Sequence, residues 1–269
     1  MTNVKARPRS PRLRPFIQAL HYHETELEGG LERIVPTGRA HLMVNLAAEE
    51  FRIHDRAHPE KMSRLRGTIF AGPHSQSTIL DSTQMRWLAA VEFCPGGLGY
   101  FLGVPANEAG NQVVNLDDLW RADGATLRER LLDAPSPRER LLILEELLLE
   151  HLEGEFDRAL ALAIAALERG MRVSEVAARL GLLPRTLERR FSARVGLTPK
   201  RYARVRRLQQ TMRTIRNSQA CDWSSLAAQH GYCDQSHLVH EFRELADITP
   251  TDYKPQSRAR NNHIPLAAR

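Results

Sequence analysis

The sequence has few cysteines and no long apolar run. These two features argue against a disulfide-stabilised protein and against a membrane-spanning one. Its three cysteines, Cys94, Cys221 and Cys233, are an odd number with no framework spacing, which predicts reduced thiols in a cytoplasm. Because no run of about 18 apolar residues is present, we expect no membrane span. The basic N-terminal segment lacks the apolar stretch of a signal peptide, so we expect a cytoplasmic location.

Motifs of enzyme chemistry are also scarce. The sequence contains no G-x-S-x-G elbow and no glycine-rich phosphate loop. A barrel-type metal site requires a His-x-His pair, a Glu a few residues later and a further His from another strand. The nearest approach is His21 and His23 with Glu24 or Glu26, but Glu24 is adjacent to the pair and the pair lies before the strand-rich core. No basic residue stands beside Cys94 to activate it. We therefore expect no catalytic residues, no metal and no cofactor.

Positive charge is concentrated in one part of the 269-residue chain, which is long enough for about two domains. The net charge is +6, but residues 157–260 carry 19 basic and 10 acidic side chains, a balance of +9, against −3 for the remainder. A basic domain that releases counterions from phosphates binds DNA in a salt-dependent way. The alternative is a basic domain that is only solvated.

The segment 173–195 shows the pattern of two helices joined by a tight turn. Gly181 follows the first apolar stripe, where a helix end tolerates a positive φ, and Pro184 opens the second helix. Leu187, Phe191 and Val195 recur at a spacing of four, so they share one face of that helix. Basic and acidic residues occupy another face, which indicates a helix-turn-helix unit.

This unit occurs twice. Five pairs match at an offset of 50, and after the turn five more match at an offset of 51: Ser174/Ser224, Val176/Leu226, Ala177/Ala227, Ala178/Ala228, Gly181/Gly231, Leu187/Leu238, Phe191/Phe242, Thr198/Thr249, Pro199/Pro250 and Tyr202/Tyr253. The matched positions are core residues, turn glycines and a Thr-Pro helix start, so duplication of a helical unit explains them. Thr198 and Pro199 predict the start of a long helix that joins the two copies.

On these residues, together with Arg189, Gly196 and the stretch 231–238, the region 157–256 resembles the DNA-binding domain of the AraC/XylS family of bacterial transcription regulators. The resemblance implies two recognition helices that enter the major groove. By position it assigns the DNA contacts to Arg185, Thr186, Glu188, Arg189, Gln235, Ser236, His237 and His240. Two residues depart from the family pattern, since His240 stands where an arginine is usual and Asp247 where a glycine usually precedes Thr-Pro.

Residues 16–102 show short apolar runs broken by Gly, Pro, Asn and Ser, which indicates a β-sandwich or small barrel. The order of the motifs at 35–38, 41–46, 71–74 and 91–97 resembles the cupin-like (DUF6597-type) sensor domain that precedes the DNA-binding unit in one branch of the family. If the mouth of the barrel binds a small molecule, four aromatic side chains are candidates to line it: Trp87, Phe93, Tyr100 and Phe101.

Helical and tail segments complete the prediction. Residues 107–153 are helical, and leucines surround much of the helix at 138–152, which predicts either a homodimer interface or packing between the two domains. The arm at 1–15 and the tail at 257–269 are expected to be disordered.

The sequence thus predicts an α+β multidomain protein: a cupin-like β-sandwich or barrel over 16–153 with a helical extension, followed by an all-α double helix-turn-helix over 157–256. We expect a sequence-specific transcription factor of the bacterial cytoplasm and nucleoid. Its expected partners are double-stranded promoter or operator DNA, RNA polymerase and a small-molecule effector, without membrane association. The alternative is an enzyme with a cupin-like or DNA-repair-like N-terminal domain and an accessory DNA-binding domain.

Overall fold

A computed structural model describes residues 2–25, 29–218, 222–255, 257 and 260–266. The predicted order of a β-rich half followed by a helical half is confirmed. The strands are β1 (Thr2–Ala6), β2 (Ile17–Glu24), β3 (Leu31–Ile34), β4 (His41–Asn45), β5 (Glu50–His54), β6 (Met62–Arg66), β7 (Thr68–Ala71), β8 (Thr78–Asp81), β9 (Trp87–Phe93), β10 (Val113–Asn115) and β11 (His263–Pro265). The helices are α1 (Leu116–Asp133), α2 (Pro137–Glu150), α3 (Arg158–Glu168), α4 (Val173–Arg179), α5 (Pro184–Val195), α6 (Pro199–Asn217), α7 (Trp223–Gln229) and α8 (Gln235–Ala246).

The strands form two antiparallel sheets that face each other. One sheet has the order β1-β2-β9-β4-β7-β10, and the other has the order β11-β3-β8-β5-β6. Side chains alternate between the two faces of each strand. In β4, Leu42 and Val44 therefore point to the fully buried outer face, whereas His41 and Met43 point between the sheets. Both faces of the larger sheet are thus covered by other parts of the chain.

Helices α1 and α2 cover the outer face of the larger sheet. Leu144, Leu147 and Leu148 of α2 are fully buried in one cluster with Leu20 and Phe93 of β2 and β9. The leucine-rich helix was expected to form a dimer interface or to pack between the two domains. The structure instead places its buried leucines inside the N-terminal domain, because the sheet offers an apolar face wide enough to cover them.

The structure corrects the expectation that residues 1–15 and 257–269 are disordered, because both segments contain a strand. Residues 2–6 form β1 and pair with β2, with Val4 opposite Tyr22. Leu13, further along the same segment, is fully buried. Near the other end, β11 pairs with β3 and places Ile264 opposite Arg33, while 258–259 and 267–269 lie outside the described residues. The free edges of both sheets supply the hydrogen-bond partners that stabilise these segments.

The helical half is built on two cores joined by α6. One core contains Val176, Leu187 and Phe191, and the other contains Leu238 and Phe242. Among the described residues, no helix is both long and apolar enough to cross a bilayer.

Candidate nucleic-acid interface

The first helix-turn-helix unit comprises α3, α4 and α5. Its turn contains Gly181 at φ +63°, the left-handed conformation that was predicted for this position. Leu187, Phe191 and Val195 of α5 are almost fully buried against α3 and α4. This packing leaves the opposite face of α5 open.

The second unit repeats this construction with α7 and α8. Gly231 occupies the turn at φ +72°, and Leu238 and Phe242 fill the core. Asp234 caps α8, since its carboxylate accepts a hydrogen bond of 2.7 Å from the amide of His237. The first unit has no such cap, because Leu183 stands at the corresponding end of α5.

Helix α6 joins the units and fixes α8 through a buried carboxylate. Glu241 of α8 has a side chain that is only 1% exposed, and its Oε1 accepts a hydrogen bond of 3.1 Å from Arg207 Nε. Arg204 Nε donates to the other carboxylate oxygen at 3.2 Å, and the two terminal nitrogens of Arg204 donate to Glu244. A buried carboxylate is stable only when its charge is paired and hydrogen-bonded. These ion pairs therefore determine how α8 lies on α6.

The side chains that the sequence assigned to DNA lie mostly in solvent. Arg185, Glu188 and Arg189 are exposed on α5, with Thr186 half-buried beside them. On α8 the exposed assigned side chains are Gln235, Ser236 and His240. Each group therefore occupies the open face of its own helix, and α6 separates the two groups.

His237 differs from the other assigned residues. Its side chain is half-buried, and its Nδ1 accepts a hydrogen bond of 3.2 Å from the amide of Cys233. Its Nε2 lies 3.7 Å from a carboxylate oxygen of Glu241. The imidazole is thus held within the second unit. Gln235 and Ser236 are exposed, and His240, also exposed, has its Nε2 3.9 Å from a carboxylate oxygen of Glu244.

Comparison with known proteins agrees with this geometry. A family model described as a helix-turn-helix domain matches residues 176–256, and a domain of unknown function, DUF6597, matches residues 5–115. The HTH-type transcriptional activator RhaS of Escherichia coli is 31% identical over 134 residues, which are 45% of this chain and 48% of RhaS. The chain thus spans about half the length of the curated relatives that it matches. Residues 176–256 therefore carry a helix-turn-helix domain, and about half of the chain is similar to an HTH-type transcriptional activator.

Solved structures of AraC-like proteins are more distant. ToxT from Vibrio cholerae O395 is 9% identical, with a TM-score of 0.42 over 87% of this chain and 95% of ToxT. The AraC-like transcriptional activator CuxR is 14% identical, with a TM-score of 0.21 over 71% of this chain and 72% of CuxR.

Three further residues lie on or beside the two recognition helices, and the sequence analysis did not assign them. Leu183 is 74% exposed at the start of α5, an unusual place for a large apolar side chain. Arg243 is exposed and shares a shallow groove with Gln235 and His240. Glu241 is the third. In the sequence, this carboxylate lies at helical spacing from the apolar residues at 238, 242 and 245, which indicates that it faces the core.

A polar cleft of about 810 Å³ separates the two units. Helix α6 forms its floor, and the turns at 169–173 and 229–231 contribute to its walls. Five basic side chains line it together with Glu168, Glu241 and Glu244: Arg169, Arg172, Lys200, Arg204 and Arg207. Arg204 and Arg207 are ion-paired with Glu241 and Glu244. The cleft thus has a small excess of positive charge, which is contributed by Arg169, Arg172 and Lys200.

The four aromatic residues that were expected to line a ligand site lie elsewhere in the N-terminal domain. Phe93 and Phe101 are almost fully buried in the core under α1 and α2, and Tyr100, which is also buried, borders the groove beside Cys94. Trp87 is half-buried with the guanidinium of Arg140 5.1 Å from its ring centroid. Alternation along β9 explains the difference, because Trp87 and Phe93 share the face that the helices cover.

The space between the sheets is a cavity of about 130 Å³ with a mostly apolar lining. Its polar lining residues include Arg39, His41 and His74, together with Thr37 and Thr78. Burial lowers the pKa of His41 to about 4, and burial also lowers the pKa of His74, so both imidazoles are neutral at neutral pH. Arg39 is ion-paired with Glu92 beside the cavity. The cavity therefore offers neutral hydrogen-bonding groups in an apolar surrounding.

Cys94 lies at the border between the N-terminal domain and α3, in a groove with Phe16 and Ile164. Burial raises the pKa of its thiol. A nucleophilic cysteine requires the opposite shift, toward the thiolate.

Proposed function

We propose that this protein regulates transcription by reading two successive major-groove segments of one DNA duplex, with α5 in the first and α8 in the second. The observation that carries the proposal is the duplicated unit, in which both helices bury the equivalent apolar face and expose the polar one. Helix-turn-helix proteins contact base edges with the N-terminal part of the recognition helix. Two such contacts about one helical turn apart, roughly 34 Å, match the two-unit architecture.

In the first unit, Arg185 and Arg189 contact guanine or phosphate, and Thr186 and Glu188 lie between them on the same surface. In the second unit, Gln235 pairs with adenine, and Ser236 and His240 contact the neighbouring positions. His237 orients α8 through Cys233 and Glu241 and contributes less to base reading. The basic cleft follows the phosphate backbone between the two grooves.

The test is selection of bound sequences from random duplexes at two salt concentrations, with the full chain. Enrichment of two short blocks about one helical turn apart supports the proposal. Enrichment of a single block would show that the second unit contacts the backbone only. Binding without enrichment, lost as salt rises, would reduce the activity to non-specific affinity for polyanions and contradict the proposal.

We further propose that the N-terminal domain responds to a small, largely apolar effector with one hydrogen-bonding group. The cavity between the sheets supports this, since its walls are apolar and His41 and His74 supply neutral polar groups. An effector should raise the melting temperature of the full chain in a saturable way. In the variant Met43→Phe, which fills the cavity, that increase should be absent.

We also propose that the protein contacts RNA polymerase at a promoter and that it self-associates in the cytoplasm.

A further inference from the structure

The C-terminal ends of both recognition helices lie against the N-terminal domain. At the end of α5, the guanidinium of Arg194 donates a hydrogen bond of 2.8 Å to the carbonyl oxygen of Gly99. At the end of α8, the amide of Ser77 donates one of 2.7 Å to the carbonyl oxygen of Leu245. The ends that would enter DNA point away from these contacts, so the N-terminal domain holds each helix without covering its reading surface.

The two docked ends are equivalent positions of the repeat. Gly196 follows α5 and Asp247 follows α8, at the offset of 51 that relates the units, and both adopt a left-handed conformation, with φ +85° and φ +54°. A Cβ atom added to Gly196 would lie 2.6 Å from Pro73 Cγ, so the close approach of Pro73 to the end of α5 depends on the absence of a side chain at position 196. At the end of α8, the contact with the N-terminal domain depends on the side chain of Asp247.

The Asp247 carboxylate lies in a polar pocket of the N-terminal domain. Arg56 donates two hydrogen bonds to it, including one of 2.7 Å from Nη2, and a third bond of 2.7 Å to the carbonyl oxygen of Glu244. Arg33 Nη1 and Ser77 Oγ each donate to the same carboxylate at 2.6 Å. The side chain of Arg33 is only 12% exposed. Charge-assisted bonds of this geometry fix a carboxylate more firmly than neutral ones.

One loop, residues 72–77 between β7 and β8, reaches the ends of both helices: Pro73 lies beside Gly196 after α5, and Ser77 bonds to Leu245 and Asp247 at the end of α8. Asn111, which precedes β10, holds the loop in place, because the amide and hydroxyl of Ser75 donate hydrogen bonds of 2.7 and 2.9 Å to Asn111 Oδ1. The amide of Asn111 in turn donates to the carbonyl oxygen of Pro73 at 3.1 Å. Ser75 and Ser77 are both buried. The loop is therefore a firm connection between the ends of the two recognition helices.

We infer that loop 72–77 sets the relative placement of α5 and α8, and that Asp247 is the positioning residue through which the N-terminal domain fixes the spacing at which DNA is read. The inference rests on the proposed two-groove function. Gly72 and His74 of the same loop also line the cavity between the sheets, so an effector there contacts the element that joins the two helices. The aspartate that departs from the family pattern thus has a specific role in this chain.

The variant Asp247→Gly tests the inference in the full chain. Glycine adopts a positive φ without strain, so the variant removes the carboxylate and leaves the end of α8 intact. Asp247→Asn keeps a polar side chain that tolerates this conformation and removes only the charge, so its effect should be intermediate. Asp252→Asn is the matched control, because Asp252 is exposed and hydrogen-bonds Thr249 within the helical half.

Binding is measured on duplexes that carry both selected blocks at the selected spacing, at spacings changed by one and two base pairs, and on duplexes with one block. The wild type and Asp252→Asn should discriminate against the altered spacings. Asp247→Gly should bind single blocks as the wild type does. Its ratio of affinities for the selected and the altered spacings should be at least about five-fold smaller than that of the wild type. An unchanged spacing ratio overturns the inference. Weakened binding to the second block alone also overturns it, since Asp247 would then act inside the second unit.

Hydrogen exchange of the backbone amides, measured on the full chain without DNA, gives a readout that does not depend on the proposed function. Asp247→Gly should lose protection jointly in residues 72–77 and in the last turn of α8, with α4 unchanged. Protection equal to that of the wild type in both segments overturns the inference. If random duplexes yield no enriched motif, the two-groove proposal fails, and this measurement still decides whether Asp247 couples the two parts of the chain.

Discussion

The guanidinium of Arg260 donates a hydrogen bond of 2.7 Å to the carboxylate of Glu32, although 228 residues separate them in the chain. The Nδ1 atom of His263 lies 2.7 Å from the same oxygen, and Ser82 Oγ donates to the other oxygen at 2.9 Å. The Glu32 side chain is only 3% exposed. This buried carboxylate therefore anchors the C-terminal segment, including β11, to the smaller sheet.

The variant Glu32→Gln should lower the free energy of unfolding by about 1–3 kcal/mol, because the amide cannot satisfy Arg260, His263 and Ser82 together. Urea unfolding of the full chain measures the change. Glu60→Gln is the control, since the Glu60 side chain is 68% exposed and surface changes of this kind stay within about 0.5 kcal/mol. Equal stability of the two variants would show that the anchor contributes nothing.

The contact of Asp247 with the N-terminal domain should weaken in acid. Burial opposes ionisation of this carboxyl, but the hydrogen bonds from Arg56 and Ser77 and the positive charges of Arg56 and Arg33 outweigh it, so its pKa is lower than usual. A lowered folded-state pKa means that the stabilisation is complete above the unfolded value, near 4, and is lost as the pH falls through the folded value.

The wild type should therefore be more stable than Asp247→Asn at pH 7, and the difference should shrink as the pH falls below about 4. Urea midpoints of both proteins between pH 7 and pH 3 measure it. A difference that stays constant over this range would show that the charge of Asp247 does not stabilise the docked arrangement.

The variant Arg189→Ala should weaken binding to the selected DNA by about 1–3 kcal/mol at one base pair and relax the preference at that position, if Arg189 contacts a guanine. Competition with single-base variants of the selected duplex measures this. Arg190→Ala is the matched control, because the neighbouring Arg190 is turned toward Asp157 at 3.0 Å. Uniform weakening on all sequences would assign Arg189 to a phosphate instead.

The parts of the molecule that the sequence predicted are those set by local periodicity. Leu187 and Phe191 repeat at a helical spacing, and the duplication of this pattern at Leu238 and Phe242 gave the second unit. Exposure of Arg185 followed from the same helical geometry. Within a helix, the spacing of apolar residues determines which side is buried, so the open face needed no knowledge of distant parts of the chain.

The features that the sequence did not predict depend on partners far along the chain. Strand alternation placed Trp87 and Phe93 on one face of β9, but the sequence could not determine that this face meets α1 and α2 rather than the cavity. Glu241 is buried because α6 supplies two guanidinium groups, and β11 forms because the edge of β3 is free. Each outcome is decided by tertiary contact, which local patterns do not encode.

The last prediction concerns Leu183, a large apolar side chain that is 74% exposed where α5 begins. The N-terminal end of a recognition helix lies closest to the base edges, and the thymine methyl group is the apolar feature of the major groove. We therefore expect Leu183 to contact one thymine methyl. Burying a group of that size contributes about 0.8 kcal/mol, which corresponds to about four-fold in affinity.

Replacement of each thymine in the first block by deoxyuridine, one at a time, measures the contribution of each methyl group. The wild type should lose about four-fold in affinity at one position, and Leu183→Ala should be insensitive to the same replacement. Leu162→Ala is the control, because Leu162 is also exposed but lies on α3, outside the recognition helix, and this variant should keep the wild-type sensitivity. If Leu183→Ala retains the sensitivity as well, the exposed leucine does not read thymine.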